Sequence, residues 1–125
     1  MKATLKDIEV IVAAKFKLSL DQLRGPDQCR RICRPRQIAM YLGREITGKS
    51  LPQLGRHFGR DHSTVYKGIL RIRLVVSRSE KIAAAIAECR EEIAALENEK
   101  TARVKSLVER LHQGEVSWRV QTEAA

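Results

Sequence analysis

The stretch Gly59-Arg60-Asp61-His62-Ser63-Thr64-Val65 decides the fold of this chain. A short amphipathic segment, 51–58, precedes it, and a longer one, 65–76, follows. Two helices joined by a glycine-containing turn form a helix-turn-helix. In that motif the first residues of the second helix enter the major groove of duplex DNA. Here they are a carboxylate, an imidazole and two hydroxyls, with Lys67 one turn on. Such groups hydrogen-bond to base edges. The pattern points to the reading of sequence as well as to charge attraction.

Charge follows the motif. The 125-residue chain carries a net charge of +9. Residues 24–76 hold 12 basic and 3 acidic side chains, whereas 1–23 hold 4 and 3, and 77–125 hold 8 and 9. A generally solubilising surface would spread the excess, but here all of it falls on the segment with the motif. That is the footprint of a polyanion binder. Aromatic residues make up 4% of the chain, so the core must be aliphatic.

The flanks read as helices throughout, which predicts an all-α fold. Thr4 with Asp7 and Ser19 with Gln22 have the spacing of capping boxes. The first opens a helix to about Lys15, with Ile8, Ile11, Val12 and Phe16 as its apolar stripe. The second opens a short helix ending at Gly25. A longer helix follows the breaker Gly25-Pro26-Asp27, with Pro35 expected in its first turn. It buries Ile38, Ala39, Leu42 and Ile46 and ends near Gly48. Ser50 caps the next helix, whose core contacts are Leu51, Leu54 and Phe58. In the recognition helix Val65, Ile69, Ile72 and Val76 recur at helical spacing and face inward. Ser63, Thr64, Lys67 and Arg71 lie on other faces. Asp61 is expected to cap this helix through its carboxylate, with acceptance from a cytosine amino group as the alternative role.

A last helix starts at Ser77-Arg78-Ser79-Glu80. Ile82, Ile86, Cys89, Ile93 and Leu96 form its stripe, which Val104, Leu107 and Leu111 resume after a slip at Lys100. Gly114 reads as its stop. Residues 115–125 have little periodicity and are expected to be disordered, with Trp118 as the one candidate anchor.

Read together, Arg34-Pro35-Arg36-Gln37-Ile38-Ala39-Met40-Tyr41-Leu42, Ser50-Leu51-Pro52-Gln53-Leu54-Gly55 and the run FGRDHSTV from Phe58 to Val65 resemble the C-terminal DNA-binding domain of the bacterial replication initiator DnaA. The resemblance extends from about Ile8 to about Leu96. It implies a helix-turn-helix bundle of that type with an extended C-terminal helix, standing alone without the ATPase module. A DNA-binding domain over 1–96 and a helical extension with a disordered tail over 97–125 are the expected organisation. The resemblance also implies that Arg36 and Gln37 position the long helix and read bases. The family's basic loop enters the minor groove; its counterpart here is 25–31, where Arg30 or Arg31 would make the contact. Two departures bear on the target: Ser63 stands where Thr is usual, removing a methyl that can touch thymine, and Gly68 stands where Ala is usual.

The expected DNA-binding set is therefore Arg30, Arg31, Arg36, Gln37, Lys49, Ser50, Arg56, Arg60, Asp61, His62, Ser63, Thr64 and Lys67. Within it, Lys49, Ser50 and Arg56 are phosphate contacts, and His62, Ser63, Thr64 and Lys67 read the major groove. A lone histidine is ordinarily structural or merely exposed; His62 departs from that because it begins a groove-facing helix.

Two other chemistries are weighed and set aside. Gly43-Arg44-Glu45-Ile46-Thr47-Gly48-Lys49-Ser50 fits the phosphate-cradling G-x-x-x-x-G-K-S pattern, which requires a strand before it. The residues before it read as a helix, so no nucleotide is expected. A nuclease needs converging carboxylates, and the basic half has only Asp27, Glu45 and Asp61, in separate elements. Cys29, Cys33 and Cys89 have no zinc spacing and read as reduced thiols. No catalysis, metal or cofactor is expected. The absence of an apolar leader or membrane-length run makes cytoplasmic, nucleoid-associated the expected location.

Three roles are compatible with this reading. The first is a sequence-specific transcription regulator using a DnaA-type reader. The second is a competitor or accessory factor at DnaA boxes in replication initiation. The third is a DNA-bound adaptor that recruits a partner such as RNA polymerase through its C-terminal helix. Residues 97–112 are expected to pair, either in a homodimer or with another protein.

Overall fold

A computed structural model describes residues 2–113; the expected stop at Gly114, the anchor Trp118 and the tail 115–125 lie outside the described residues. Six α-helices follow one another: α1 (Leu5–Lys15), α2 (Leu20–Arg24), α3 (Arg30–Thr47), α4 (Leu51–Phe58), α5 (His62–Arg78) and α6 (Glu80–His112). No strand occurs among the described residues. The fold is all-α, as the periodicity requires.

Local chemistry sets the helix ends. Three capping boxes form, Thr4 with Asp7, Ser19 with Gln22 and Ser50 with Gln53, each exchanging backbone N–H bonds for side-chain oxygens. Gly48 and Gly59 end α3 and α4 in the left-handed conformation, φ 69° and 66°, which glycine adopts without a Cβ clash. The position of Pro35 corrects the expectation. The long helix starts at Arg30, so Pro35 falls in its second turn. There its missing N–H leaves the carbonyl of Arg31 without the usual i+4 donor.

The core is one aliphatic cluster. Ile8, Leu23, Ile38, Leu42, Leu54 and Ile72 are inaccessible to solvent, and Ile86 and Ile93 of α6 are 1% exposed. Each such side chain contributes about 1.5–3 kcal/mol on burial. Ile11, Phe16, Ile46, Leu51, Val76 and Ile82 pack around them half-buried. Helices α3 and α5 cross at the centre of the bundle, α4 packs beside α5, and α1 and α6 close the other side.

Helix α1 rests on α3 at Gly43, where a Cβ would stand 2.7 Å from Cδ2 of Leu5. This explains the nucleotide-like pattern. Residues 43–47 are the last turn of α3, and Ser50 caps α4. The glycine serves helix packing here, and no strand precedes it.

Helix α6 runs antiparallel to α1, tied by Lys15 to Glu88 and by Lys100 to Asp7. The Lys100 bond holds the Asp7 carboxyl below its ordinary range. A bidentate pair from Arg90 to Glu45 joins α6 to α3 at 3.0 Å. Beyond Lys100 the helix projects: 101–110 are exposed throughout, and Val104, Leu107 and Val108 are 43%, 51% and 42% accessible.

Candidate nucleic-acid interface

The turn between α4 and α5 is closed by backbone chemistry. The amides of Gly59 and Arg60 both donate to the carbonyl of Gly55, that of Arg60 at 2.8 Å. Gly55 itself admits no side chain, since a Cβ would lie 2.6 Å from the carbonyl oxygen of Arg60. Leu54 and Phe58 of α4 are buried, as are Val65, Ile69 and Ile72 of α5. Burial of that face turns the opposite one outward. His62, Ser63, Thr64 and Lys67 are all exposed. The structure thus presents the expected readers together on the first turns of one helix.

Asp61 occupies the N-cap position, but its carboxylate makes no capping hydrogen bond, contrary to expectation. It instead accepts from the Ser63 hydroxyl and lies 3.3 Å from Nδ1 of His62. The Ser63 bond holds the Asp61 carboxyl below its ordinary range. With its proton donated to Asp61, the Ser63 hydroxyl retains only acceptor capacity.

Lys49, Ser50 and Arg56 are exposed at the start and along the outer side of α4. The Ser50 hydroxyl accepts from the Gln53 amide at 3.3 Å. Gln37 reaches the recognition helix from α3. Its Cγ would be 3.3 Å from a Cβ at position 68, and Met40 Sδ 3.4 Å. Gly68 therefore lets α3 approach closely. A groove of about 250 Å³ runs between the two helices, lined by Gln37, Met40, Thr64, Lys67 and Arg71 among others.

Two arginines of the expected set are turned inward. Arg36 is 2% exposed. Its Nε donates to the carbonyl of Leu23 at 2.7 Å, Nη1 to Asp27 at 3.0 Å and Nη2 to Gly25 at 2.7 Å. These bonds fold the loop 25–29 onto α3, so Arg36 holds the loop and its guanidinium is engaged by backbone carbonyls. Arg60, half-buried, donates to the carbonyls of Phe58 at 2.9 Å and Gly25 at 2.6 Å. Arg30 and Arg31, in the first turn of α3, are exposed.

Two features escape a reading of the sequence. Glu9 is fully buried in α1. Both its oxygens accept from Arg24 at 2.8 Å, and Oε1 also meets Nε2 of His57. Burial pushes the Glu9 carboxyl up, yet the Arg24 and His57 bonds outweigh it and leave the group below its ordinary value. The triad ties α1 to α2 and to α4. A lone acid among apolar positions 8, 11 and 12 carried no signal of this. The second is Tyr66, 50% exposed one turn after His62 on the outward side of α5. The sequence pattern assigns it no role.

A family model described as the bacterial dnaA protein helix-turn-helix matches residues 5–72, more than half of the chain. The chain belongs to the bacterial DnaA helix-turn-helix family. It is 40% identical over 83 residues to the chromosomal replication initiator protein DnaA of Cereibacter sphaeroides, covering 66% of this chain and 18% of that protein. With the DnaA of Deinococcus deserti it shares 36% over 99 residues, 79% of this chain and 22% of the relative. With that of Ruegeria pomeroyi it shares 44% over 72 residues, 57% and 15%. The chain spans about a fifth of the length of these relatives. DNA binding by a DnaA-type helix-turn-helix is the property that membership carries. No described helix is long and apolar enough to cross a membrane.

Proposed function

We propose that this chain is a sequence-specific duplex-DNA-binding regulator of the nucleoid, most simply a transcription factor built on a DnaA-type reader. The observation that carries it is the outward grouping of His62, Ser63, Thr64 and Lys67 on the first two turns of α5, above a turn closed on Gly55. Bidentate or paired contacts from such a helix discriminate bases by about 1–3 kcal/mol each. Lys49 and Ser50 just before α4, and Arg56 on it, hold phosphates and set the register. Arg30 or Arg31, in the first turn of α3 next to the loop that Arg36 anchors, reaches for the adjacent minor groove. The chain acts without cofactor or catalysis.

Occupation of DnaA boxes in replication is the second reading, favoured by one observation: the relatives quoted are all replication initiators. Chromatin immunoprecipitation with sequencing separates the two. Peaks at promoters support the regulator, peaks confined to the origin support the second reading, and no enrichment at any sequence sinks both. In vitro, contact with four to six phosphates gives a log–log salt slope of about −4 to −5. A slope near zero would remove duplex binding itself.

A further inference from the structure

A second basic groove lies away from the front of the helix-turn-helix. Its floor is apolar, made by Phe16 at the end of α1, Pro35 of α3, Val75 of α5 and Ile82 of α6. Its rim carries Arg30, Arg31, Arg34 and Lys81, and no acidic residue lines it. The volume is about 580 Å³, within the range of ligand-sized clefts. Val75 follows His62 by 13 residues, which places it about 20 Å farther along α5. A duplex seated on the first turn of that helix does not require this floor; of the rim, Arg30 and Arg31 are shared with the proposed minor-groove contact, and Arg34 and Lys81 are not.

Some cations elsewhere are paired: Arg24 with Glu9, Arg90 with Glu45, Lys15 with Glu88 and Lys100 with Asp7. None of the four rim cations forms an ion pair or donates a side-chain hydrogen bond among the described residues. Unpaired surface cations alone are ordinary, since water solvates them. The half-buried apolar floor beneath them is not ordinary, because it gains by being covered.

We propose that this groove docks an acidic amphipathic segment of a partner protein, with apolar side chains on the floor and carboxylates against the rim. Arginine binds carboxylates through two parallel bonds, and a helix with anchors at i, i+3, i+4 and i+7 matches a groove of this kind. A bilayer is met by apolar groups that stand beyond the cations. Here Pro35 is buried and Phe16, Val75 and Ile82 lie half-buried, so a lipid surface does not reach them. DNA offers phosphates to the rim, but its thymine methyls lie inside the major groove, behind the phosphates, and do not reach a recessed floor. The arrangement favours a peptide over both.

The test titrates the full chain into a fluorescein-labelled synthetic helix with Leu at the four anchor positions and Glu between them. Anisotropy follows binding, and amide shifts of the labelled chain map it. Saturable micromolar binding is expected, with shifts centred on Phe16, Arg34, Val75 and Ile82. The double variant Arg34→Glu, Lys81→Glu should weaken it about tenfold or more, since it reverses two rim charges. Its helical content and its preference for one duplex sequence over another should stay unchanged. The proposal is overturned by any of four results. One is no saturation at millimolar peptide. A second is equal affinity for a peptide with Ser in place of Leu, which would be plain polyanion attraction. A third is a shift map centred on 62–67. The last is perturbation of Phe16 and Ile82 by duplex DNA, by phosphatidylglycerol vesicles or by a second copy of the chain, which would name a different occupant.

Discussion

Arg60 and Arg36 converge on a single acceptor, the carbonyl oxygen of Gly25, at 2.6 Å and 2.7 Å. Arg60 stands in the turn of the helix-turn-helix and Arg36 on α3. Their shared oxygen therefore ties the loop that leads to Arg30 and Arg31 to the turn before α5, which carries the proposed readers. On that proposal, contacts to two grooves share one frame. Pre-organisation of this kind spares the ordering cost on binding.

Loss of either arginine should loosen that frame unequally. Arg60→Ala removes bonds near the surface and should cost about 1 kcal/mol. Arg36→Ala leaves the carbonyls of Leu23 and Asp27 unmet around a buried cavity, while Gly25 keeps its bond from Arg60, and should cost about 3 kcal/mol. Urea unfolding measures both, and hydrogen exchange should quicken in 26–31 in each. If Arg36→Ala proves no less stable than Arg60→Ala, the anchoring role given to Arg36 is wrong.

Readers and positioners should separate on DNA. His62→Ala and Thr64→Ala should each lose about 1–3 kcal/mol on the preferred duplex and little on a random one. Lys49→Ala should weaken both duplexes alike, because phosphate contacts carry no sequence information. Competition binding with the two duplexes decides, and identical profiles for His62→Ala and Lys49→Ala would refute the division.

The Glu9 triad should give stability an acid limb. The folded carboxyl lies below its ordinary value, so the unfolded chain binds more protons on acidification. Its contribution is complete above about pH 4.3, the ordinary glutamate value. It is lost as the pH falls through the depressed folded value. Glu9→Gln should flatten that limb. It should cost about 2 kcal/mol at neutral pH, less than a fully enclosed pair, because Arg24 and His57 keep 41% and 27% of their side-chain surface in solvent. A chemical-denaturation series from pH 3 to 7 tests the direction; a steeper acid limb in Glu9→Gln would contradict it.

The projecting end of α6 should find a partner. Val104, Leu107 and Val108 are exposed on a helix with no bundle beneath it, and such stripes are seldom left to water. Sedimentation equilibrium of the full chain, and of a truncation after Lys100, should show association only in the former. Lys100 is retained because its bond to Asp7 belongs to the bundle. If full-length and truncated chains are both monomers and neither retains a partner on affinity purification, no interaction role remains for 101–112.

The helices and their faces were legible in the sequence because they rest on local chemistry. Thr4, Ser19 and Ser50 bond to amides three residues away, and the stripe Val65, Ile69, Ile72 repeats at the period of one helix. The same locality makes His62 to Lys67 readable as a group, since consecutive turns of one helix stay together in any fold. Arg36, Arg60 and Glu9 were not legible. Arg36 acts on a loop 9 to 13 residues earlier, Arg60 on one 35 earlier, and Glu9 on His57, 48 residues away. Burial decided these roles: a guanidinium or carboxylate taken out of water must find partners wherever packing brings them, and only the tertiary structure says which chain segments packing has brought within reach.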